Sequence, residues 1–296
     1  MSLRVILDAY VDGLRDRTTK GNSHRSAESK QRMLESVFGA DFDVSRMTDK
    51  DLGTHARIRR RRDGVENGTI NGDFRVLKAA MHHAARKGGP LRGHPDLVEI
   101  KELKQRKGLP DKLSDAQVHR LFEAAAASWD VALLLAMKAG LRREEIMMLR
   151  VEDVDFDHRM IEVRSKTSER HGVAWEPKDW ECRSVPFAEQ LSLRLKDHIA
   201  TLRGAWLFPK RRDPHQPVTS AMDKAMKKIW ERAGLRDTRK PGLHQLRRTW
   251  ASQMHRNGAS LETVRELGGW DDLNVVKRYV SAYDEEKREA VESLDP

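Results

Sequence analysis

Apolar positions along this chain recur at helical spacing over most of its length and at strand spacing in one region only. Leu3, Ile6, Leu7, Tyr10 and Leu14 share a stripe, which predicts a helix over 3–16. Residues 17–26 are polar and read as loop, and a second helix is expected around Glu28–Phe38. Thr48 or Asp49 can cap a third, running from Leu52 into the arginine run at 57–62. Thr69 opens a fourth, with Ile70, Phe74, Leu77, Ala80, Met81 and Ala84 at helical spacing, and Gly88-Gly89-Pro90 ends it. The stretch 91–112 is rich in Pro, Gly and Lys and reads as a linker.

Leu113-Ser114-Asp115 then starts a new helix with a good cap. An apolar helix follows over 129–139; Gly140 stops it and RREEIMMLR restarts it. Val154–Phe156, Met160–Val163, Val173–Trp175 and Arg183–Phe187 are short β-prone runs between turn residues. Helices return at 188–201, 219–233, 244–257, 260–267 and 272–279. The expected fold is mainly α: a small N-terminal helical bundle over 1–107, then a mostly helical unit over 108–296 with one small antiparallel β-sheet.

Composition narrows the partner. Fifty-six Lys and Arg against 46 Asp and Glu give a formal charge of +10, which favours a polyanion: nucleic acid first, an anionic membrane surface second. Cys182 is the only cysteine, so no disulfide framework and no cysteine zinc cluster can form within the chain. No stretch approaches 18 consecutive apolar residues and the first residues lack a signal-peptide core, so a cytoplasmic protein without a membrane span is expected.

Three separated pieces carry candidate chemistry: AGLRREEIMMLRVEDVDF at 139–156, LHQLRRTWAS at 243–252 and LGGWDDLNVVKRYVSAY at 267–283. Taken singly they are bland. Arg142 could be a surface arginine, Trp270 a core residue and Tyr279 an aromatic near a helix end. His244 and Arg247, three residues apart near a helix N-terminus, project from one face and could hold a phosphate.

Taken jointly, Arg142 with Glu145, then His244-x-x-Arg247, then Trp270 and Tyr279 nine residues later, resemble the catalytic domain of the tyrosine recombinase (phage integrase) family over roughly 113–285. Many members have His where this chain has Trp270; others have Trp. The first bundle resembles the family's core-binding domain more loosely. The family's catalytic lysine lies in a β-hairpin turn before a strand ending in Val-Pro, and two residues compete for it. Lys166 lies the expected distance after Asp153, and Lys178 the expected distance before Pro186. Lys178 is preferred, because the strand after the turn places a general acid and because the Pro-Lys context resembles members with a longer hairpin.

The resemblance implies a site-specific recombinase that cleaves and rejoins double-stranded DNA at a specific recombination site. Tyr279 would attack phosphorus and form a 3′-phosphotyrosyl bond. Arg142 and Arg247 would hold the non-bridging oxygens, Lys178 would protonate the departing 5′ oxygen, His244 would accept the tyrosine proton or hydrogen-bond the phosphate, Trp270 would pack and donate its indole N–H, and Glu145 would brace the pocket. It implies no cofactor and no metal, a tetramer on DNA, and a tail after Tyr279 that docks on a neighbouring protomer or folds back. The arginine run at 57–62 is a candidate phosphate contact. The helix from Thr69 could present Asn71, Arg75 and Lys78 to a groove. A helix beginning at residue 3 leaves no arm-binding domain expected ahead of it. The rival readings are a DNA-binding relative that has lost catalysis and a type IB topoisomerase; the complete residue set and the compact first bundle disfavour them.

Overall fold

The computed structural model describes residues 1–17, 21–86, 89–93, 97–105, 112–126, 128–168, 173–177, 182–238, 241–280 and 291–294. It divides into two compact units, Met1–Gly108 and Leu109–Pro296.

The first unit holds α1 (Leu3–Arg17), α2 (Gly21–Phe38), α3 (Asp49–Asp63) and α4 (Asn67–Ala84). Helix α2 starts within the segment expected to be loop, and α4 starts two residues before Thr69. Thr48 and Asp51 form a capping box at the start of α3, and Gly64 at φ 63° ends it. Leu3, Ile6, Leu7, Leu34, Ile70, Phe74 and Leu77 make the core.

Three expectations for this unit need correction. Not all of the run at 57–62 can contact phosphate. Arg59 is buried, donating through Nε to the buried Asp73 at 2.9 Å and pairing with Asp63. It follows Leu52, His55 and Ala56 on the core-facing stripe of α3. Asn71 is also buried; its amide donates to the Leu103 carbonyl at 2.9 Å and its oxygen accepts from the Leu103 N–H at 2.8 Å, so it cannot read a base. Those bonds satisfy the backbone of the segment expected to be linker. Leu91 and Ile100 are buried in this core, so the described chain through residue 105 belongs to the bundle.

The second unit begins with α5 (Asp115–Ala124), α6 (Asp130–Lys138) and the short α7 (Arg143–Met147). Strands β1 (Val154–Asp155), β2 (Met160–Val163), β3 (Lys166–Ser168), β4 (Val173–Trp175) and β5 (Arg183–Pro186) follow. Then come α8 (Glu189–Ala200), β6 (Pro209–Lys210), β7 (Asp213–Pro217), α9 (Ser220–Arg232), α10 (Leu243–Arg256), α11 (Leu261–Gly268) and α12 (Leu273–Lys277). The expected single sheet is three antiparallel pieces: β1-β2-β5, β3-β4 and β6-β7. The β3-β4 hairpin is the insertion that separates Lys166 from Lys178. The β6-β7 ribbon was not legible because Pro209, Pro214 and Pro217 mask its strand pattern.

Helix α6 is apolar all round because it is buried all round, with Val131, Leu133, Leu135 and Ala136 in the core. Helix α10 packs against it, and Gly140 follows just after α6. Gly140 has φ 62°, and a Cβ there would stand 2.5 Å from the Trp250 ring. No helix among the described residues is long and apolar enough to cross a membrane.

Candidate active site

A cavity of about 430 Å³ in the second unit is lined by Arg142, Glu145, Trp175, His244, Arg247, Trp270 and Tyr279, with Arg143, Glu144, Asp271, Asp272 and Val275 completing it. Five of the six site residues singled out in the sequence therefore meet in one place, from three distant segments. Lys178 lies outside the described residues.

Each side chain is placed by a local feature. Arg142 occupies the cap position of α7; its backbone N–H donates to Glu145 Oε2 at 2.7 Å and its Nη1 to Oε1 at 2.8 Å. Its Nη2 donates to the Gly269 carbonyl. His244 and Arg247 stand in the first turns of α10. Arg247 is 1% exposed; Nη1 donates to the Gly140 carbonyl, Nη2 to the Gly268 carbonyl, and Cζ lies 4.1 Å from the Trp270 ring centroid. Trp270 stacks on Trp250 with centroids 6.1 Å apart. Gly268 makes room for it, since a Cβ there would come within 2.0 Å of its ring.

Asp272 caps α12, which ends at Lys277, so Tyr279 sits just past the helix expected to contain it. Its ring lies 5.6 Å from Trp270 and meets His244 edge-on at 6.2 Å. Arg248 covers the ring, with Cζ 5.3 Å from its centroid.

Arg183 escaped the sequence reading. Its Nη1 and Nη2 donate to the two Glu145 oxygens at 2.9 and 2.8 Å, and its Nε to the Leu267 carbonyl at 3.1 Å. A signal was available. Arg183 and Val185 are two apart in one strand, so they share a face; Val185 is core, and a cation on a core-facing position needs a buried anion.

Three guanidiniums (Arg142, Arg183, Arg247) thus surround one buried carboxylate, Glu145, leaving two unbalanced positive charges. The pKa directions agree. Burial alone would raise the Glu145 carboxyl, but Arg183 first, then Arg247 and Arg142, hold it down at about 2. Burial, then repulsion from Arg142 and Arg183 against the pull of Glu145, lowers Arg247 to about 9. The other carboxylates on the lining, Glu144, Asp271 and Asp272, are exposed and screened by solvent.

Lys166 does not line the cavity. It is 3% exposed, donating to Asp153 Oδ1 at 2.8 Å and the Arg164 carbonyl at 3.1 Å. Burial lowers its pKa, and Asp153 opposes that. Its cross-strand neighbour Trp175 does line the cavity. Among the described residues, no group of three or more His, Cys, Asp and Glu could hold a metal ion.

In this mainly helical unit a partly buried arginine cluster faces a histidine and a tyrosine, an arrangement that can hold an anion beside a phenol. Residues 111–286 match the phage integrase family model, and the chain belongs to that family, the tyrosine recombinases. It is 28% identical over 201 residues to tyrosine recombinase XerA of Pyrococcus horikoshii, a match covering 66% of this chain and 65% of that one. It is 25% identical over 214 residues to the integrase of Salmonella phage P22, covering 69% of this chain and 51% of that one. The chain thus spans less than two thirds of the length of these two relatives. Among solved structures, the Tn1549 transposon integrase in complex with a circular intermediate DNA superposes with TM-score 0.75 at 21% identity, covering 97% of this chain and 99% of that one. A lambda integrase tetramer bound to a Holliday junction gives TM-score 0.73 at 15% identity, covering 96% and 80%. At these identities the two superpositions speak to the fold.

Proposed function

We propose that this protein is a site-specific DNA recombinase that cleaves and rejoins double-stranded DNA through a 3′-phosphotyrosyl intermediate on Tyr279. The observation that carries this reading is the tyrosine beside a partly buried arginine cluster with two positive charges in excess. A phosphodiester in attack passes from one negative charge toward two, so that excess matches the transition state better than the ground state.

In this reading Arg142 and Arg247 bind the two non-bridging oxygens with N–H groups not engaged by Glu145 or the glycine carbonyls. The carbonyl contacts fix both forks before substrate arrives, so no reorganisation is needed during reaction. His244 takes the Tyr279 proton. The phenolate oxygen bonds to phosphorus, the P–O5′ bond breaks, and Lys178 delivers a proton to the departing oxygen. The reverse attack by a 5′ hydroxyl rejoins DNA, with the phosphodiester energy held in the tyrosyl ester. The burial of Lys166 against Asp153 supports Lys178 as the donor. Trp270 packs under Arg247 and orients it.

The first unit acts as a DNA-gripping core-binding domain in the same reading, through exposed Arg57, Arg60, Arg61, Arg75 and Lys78. The active form is a tetramer on two sites, working in the cytoplasm. The docking tail after Tyr279 falls largely outside the described residues; Val291 and Leu294 within it are exposed.

The test is covalent capture. Wild type incubated with a nicked suicide substrate should form a protein–DNA adduct resistant to denaturant, and Tyr279→Phe should form none. An adduct that survives Tyr279→Phe sinks the reading.

A further inference from the structure

Two arginines in succession end the His-x-x-Arg segment, and the first is fully engaged: Arg247 is buried, held by two backbone carbonyls and stacked over Trp270. The second, Arg248, has no assigned task. It is partly buried, its Nε is shielded from solvent without a hydrogen-bond partner among the described residues, and its guanidinium lies over the Tyr279 ring, Cζ 5.3 Å from the centroid. Leaving a buried donor of a charged group unpaired is unfavourable. A face-on guanidinium at this range is held by the ring quadrupole, and far more strongly by a ring that has become an anion.

We infer that Arg248 is an electrostatic positioning residue for the nucleophile: it holds the Tyr279 ring in its attacking pose and stabilises the phenolate that forms as the hydroxyl proton leaves. This rests on Tyr279 being the nucleophile. The balance is simple. The O–H proton passes to His244, the electron pair stays on the phenolate oxygen, and that oxygen then bonds to phosphorus as the P–O5′ bond breaks. Arg248 neither gains nor loses a proton.

Other charged groups share the surroundings of Tyr279. His244 and Arg247 approach from α10 with Arg248; Arg142, Glu144 and Glu145 come from the α7 segment; Asp271 and Asp272 lie across the cavity; Lys277 and Arg278 precede Tyr279. Glu145 or backbone carbonyls hold the forks of Arg142 and Arg247 in place, and Arg247 also interacts electrostatically with Tyr279. Arg278 donates to the Asn274 carbonyl at 3.2 Å. Among the described residues Arg248 is the cation recorded over the phenol face.

Single-turnover cleavage of a suicide substrate by the full-length protein, followed from pH 6 to pH 9.5 at saturating DNA, decides the matter. A neighbouring cation favours the charged form of an acid. Arg248→Met should therefore move the alkaline rise of the rate to higher pH and slow cleavage near pH 7 severalfold. Arg248→Gln, polar but uncharged, should do the same. The chain has three tyrosines, so global replacement by 3-fluorotyrosine, a stronger acid, is tractable. It should move the alkaline rise to lower pH in wild type and variants alike and so return the variants toward the wild-type rate. Two results overturn the inference: variant profiles that superimpose on wild type, or a variant defect confined to the DNA concentration needed for half-maximal rate. The last would make Arg248 a DNA-gripping residue. Tyr279→Phe runs alongside. An adduct in that control refutes the nucleophile itself, whereas its absence together with an unshifted Arg248→Met profile refutes only the role of Arg248.

Discussion

Replacing Glu145 by glutamine should unfold the second unit at a markedly lower temperature, although the two side chains have nearly the same shape. Glu145 accepts four hydrogen bonds, from Arg183 Nη1 and Nη2, Arg142 Nη1 and the Arg142 backbone N–H, at 2.7–2.9 Å. It is the only carboxylate recorded against the partly buried Arg142–Arg183–Arg247 cluster among the described residues. Holding a carboxyl at about 2 in place of its ordinary 4.5 corresponds to about 3 kcal/mol. Removing one member of a buried ion cluster typically costs about 3–5 kcal/mol, because the remaining charges stay buried and uncompensated. For a unit of this size, 3 kcal/mol lowers Tm by roughly 6–12 °C. The pH dependence is a second signature. The folded value lies below the unfolded one, so the Glu145 contribution is complete above pH 4.5 and is lost as pH falls toward 2. Thermal melts by circular dichroism of wild type and Glu145→Gln at pH 7 and pH 3 should show a wide gap at pH 7 and a narrowed one at pH 3. A variant within about 2 °C of wild type at pH 7, or a gap unchanged at pH 3, would refute the charge balance described for this pocket.

The same cluster should bind free anions: sulfate at millimolar concentration should raise Tm in a saturable way beyond chloride at equal ionic strength, and Arg142→Gln should lose that excess. An equal response from both proteins would show that sulfate acts only as a general stabilising salt. Gly268→Ala should lower Tm and depress cleavage at least tenfold, because its Cβ would lie 2.0 Å from the Trp270 ring that supports Arg247; wild-type kinetics in that variant would contradict the packing. Lys166→Met should lower Tm by leaving Asp153 short of a buried partner, while Lys178→Ala should keep Tm and block cleavage. DNA with sulfur at the bridging 5′ position, a leaving group that needs no proton, should restore cleavage by Lys178→Ala; restoration in Lys166→Met alone would reverse the choice of lysine.

The sequence carried the helices and most of the pocket, but for different reasons. The helices of both units follow from apolar spacing and caps such as Thr48 and Ser114, which are local signals. Arg142, His244, Arg247, Trp270 and Tyr279 were legible only jointly, since each has an ordinary structural reading alone. Arg59, Asn71 and Arg183 were misread or missed for one shared reason: a polar residue on a core-facing position was taken as surface because its partner lies far along the chain. Asp73 is 14 residues from Arg59, Leu103 is 32 from Asn71 and Glu145 is 38 from Arg183. For Arg59 and Arg183 the periodicity already put the side chain inward, and an inward polar group implies a partner even when the sequence cannot say which.

The same reasoning applies to the charge held in the pocket. A buried arginine is ordinarily neutralised, yet Arg247 has burial and two neighbouring guanidiniums against it and a single shared carboxylate in its favour. Full neutralisation by a second buried acid would stabilise the fold and weaken the grip on phosphate, because the incoming oxygens would compete with a built-in anion. Supplying backbone carbonyls of Gly140, Gly268 and Gly269 in place of a second acid satisfies N–H geometry without cancelling the charge. The three glycines permit this. Gly140 and Gly269 lie at φ 62° and 58°, and Gly268 leaves the space that Trp270 fills. In the proposed reaction, the charge left over is available to the one group that gains a second negative charge, a phosphate under attack by Tyr279.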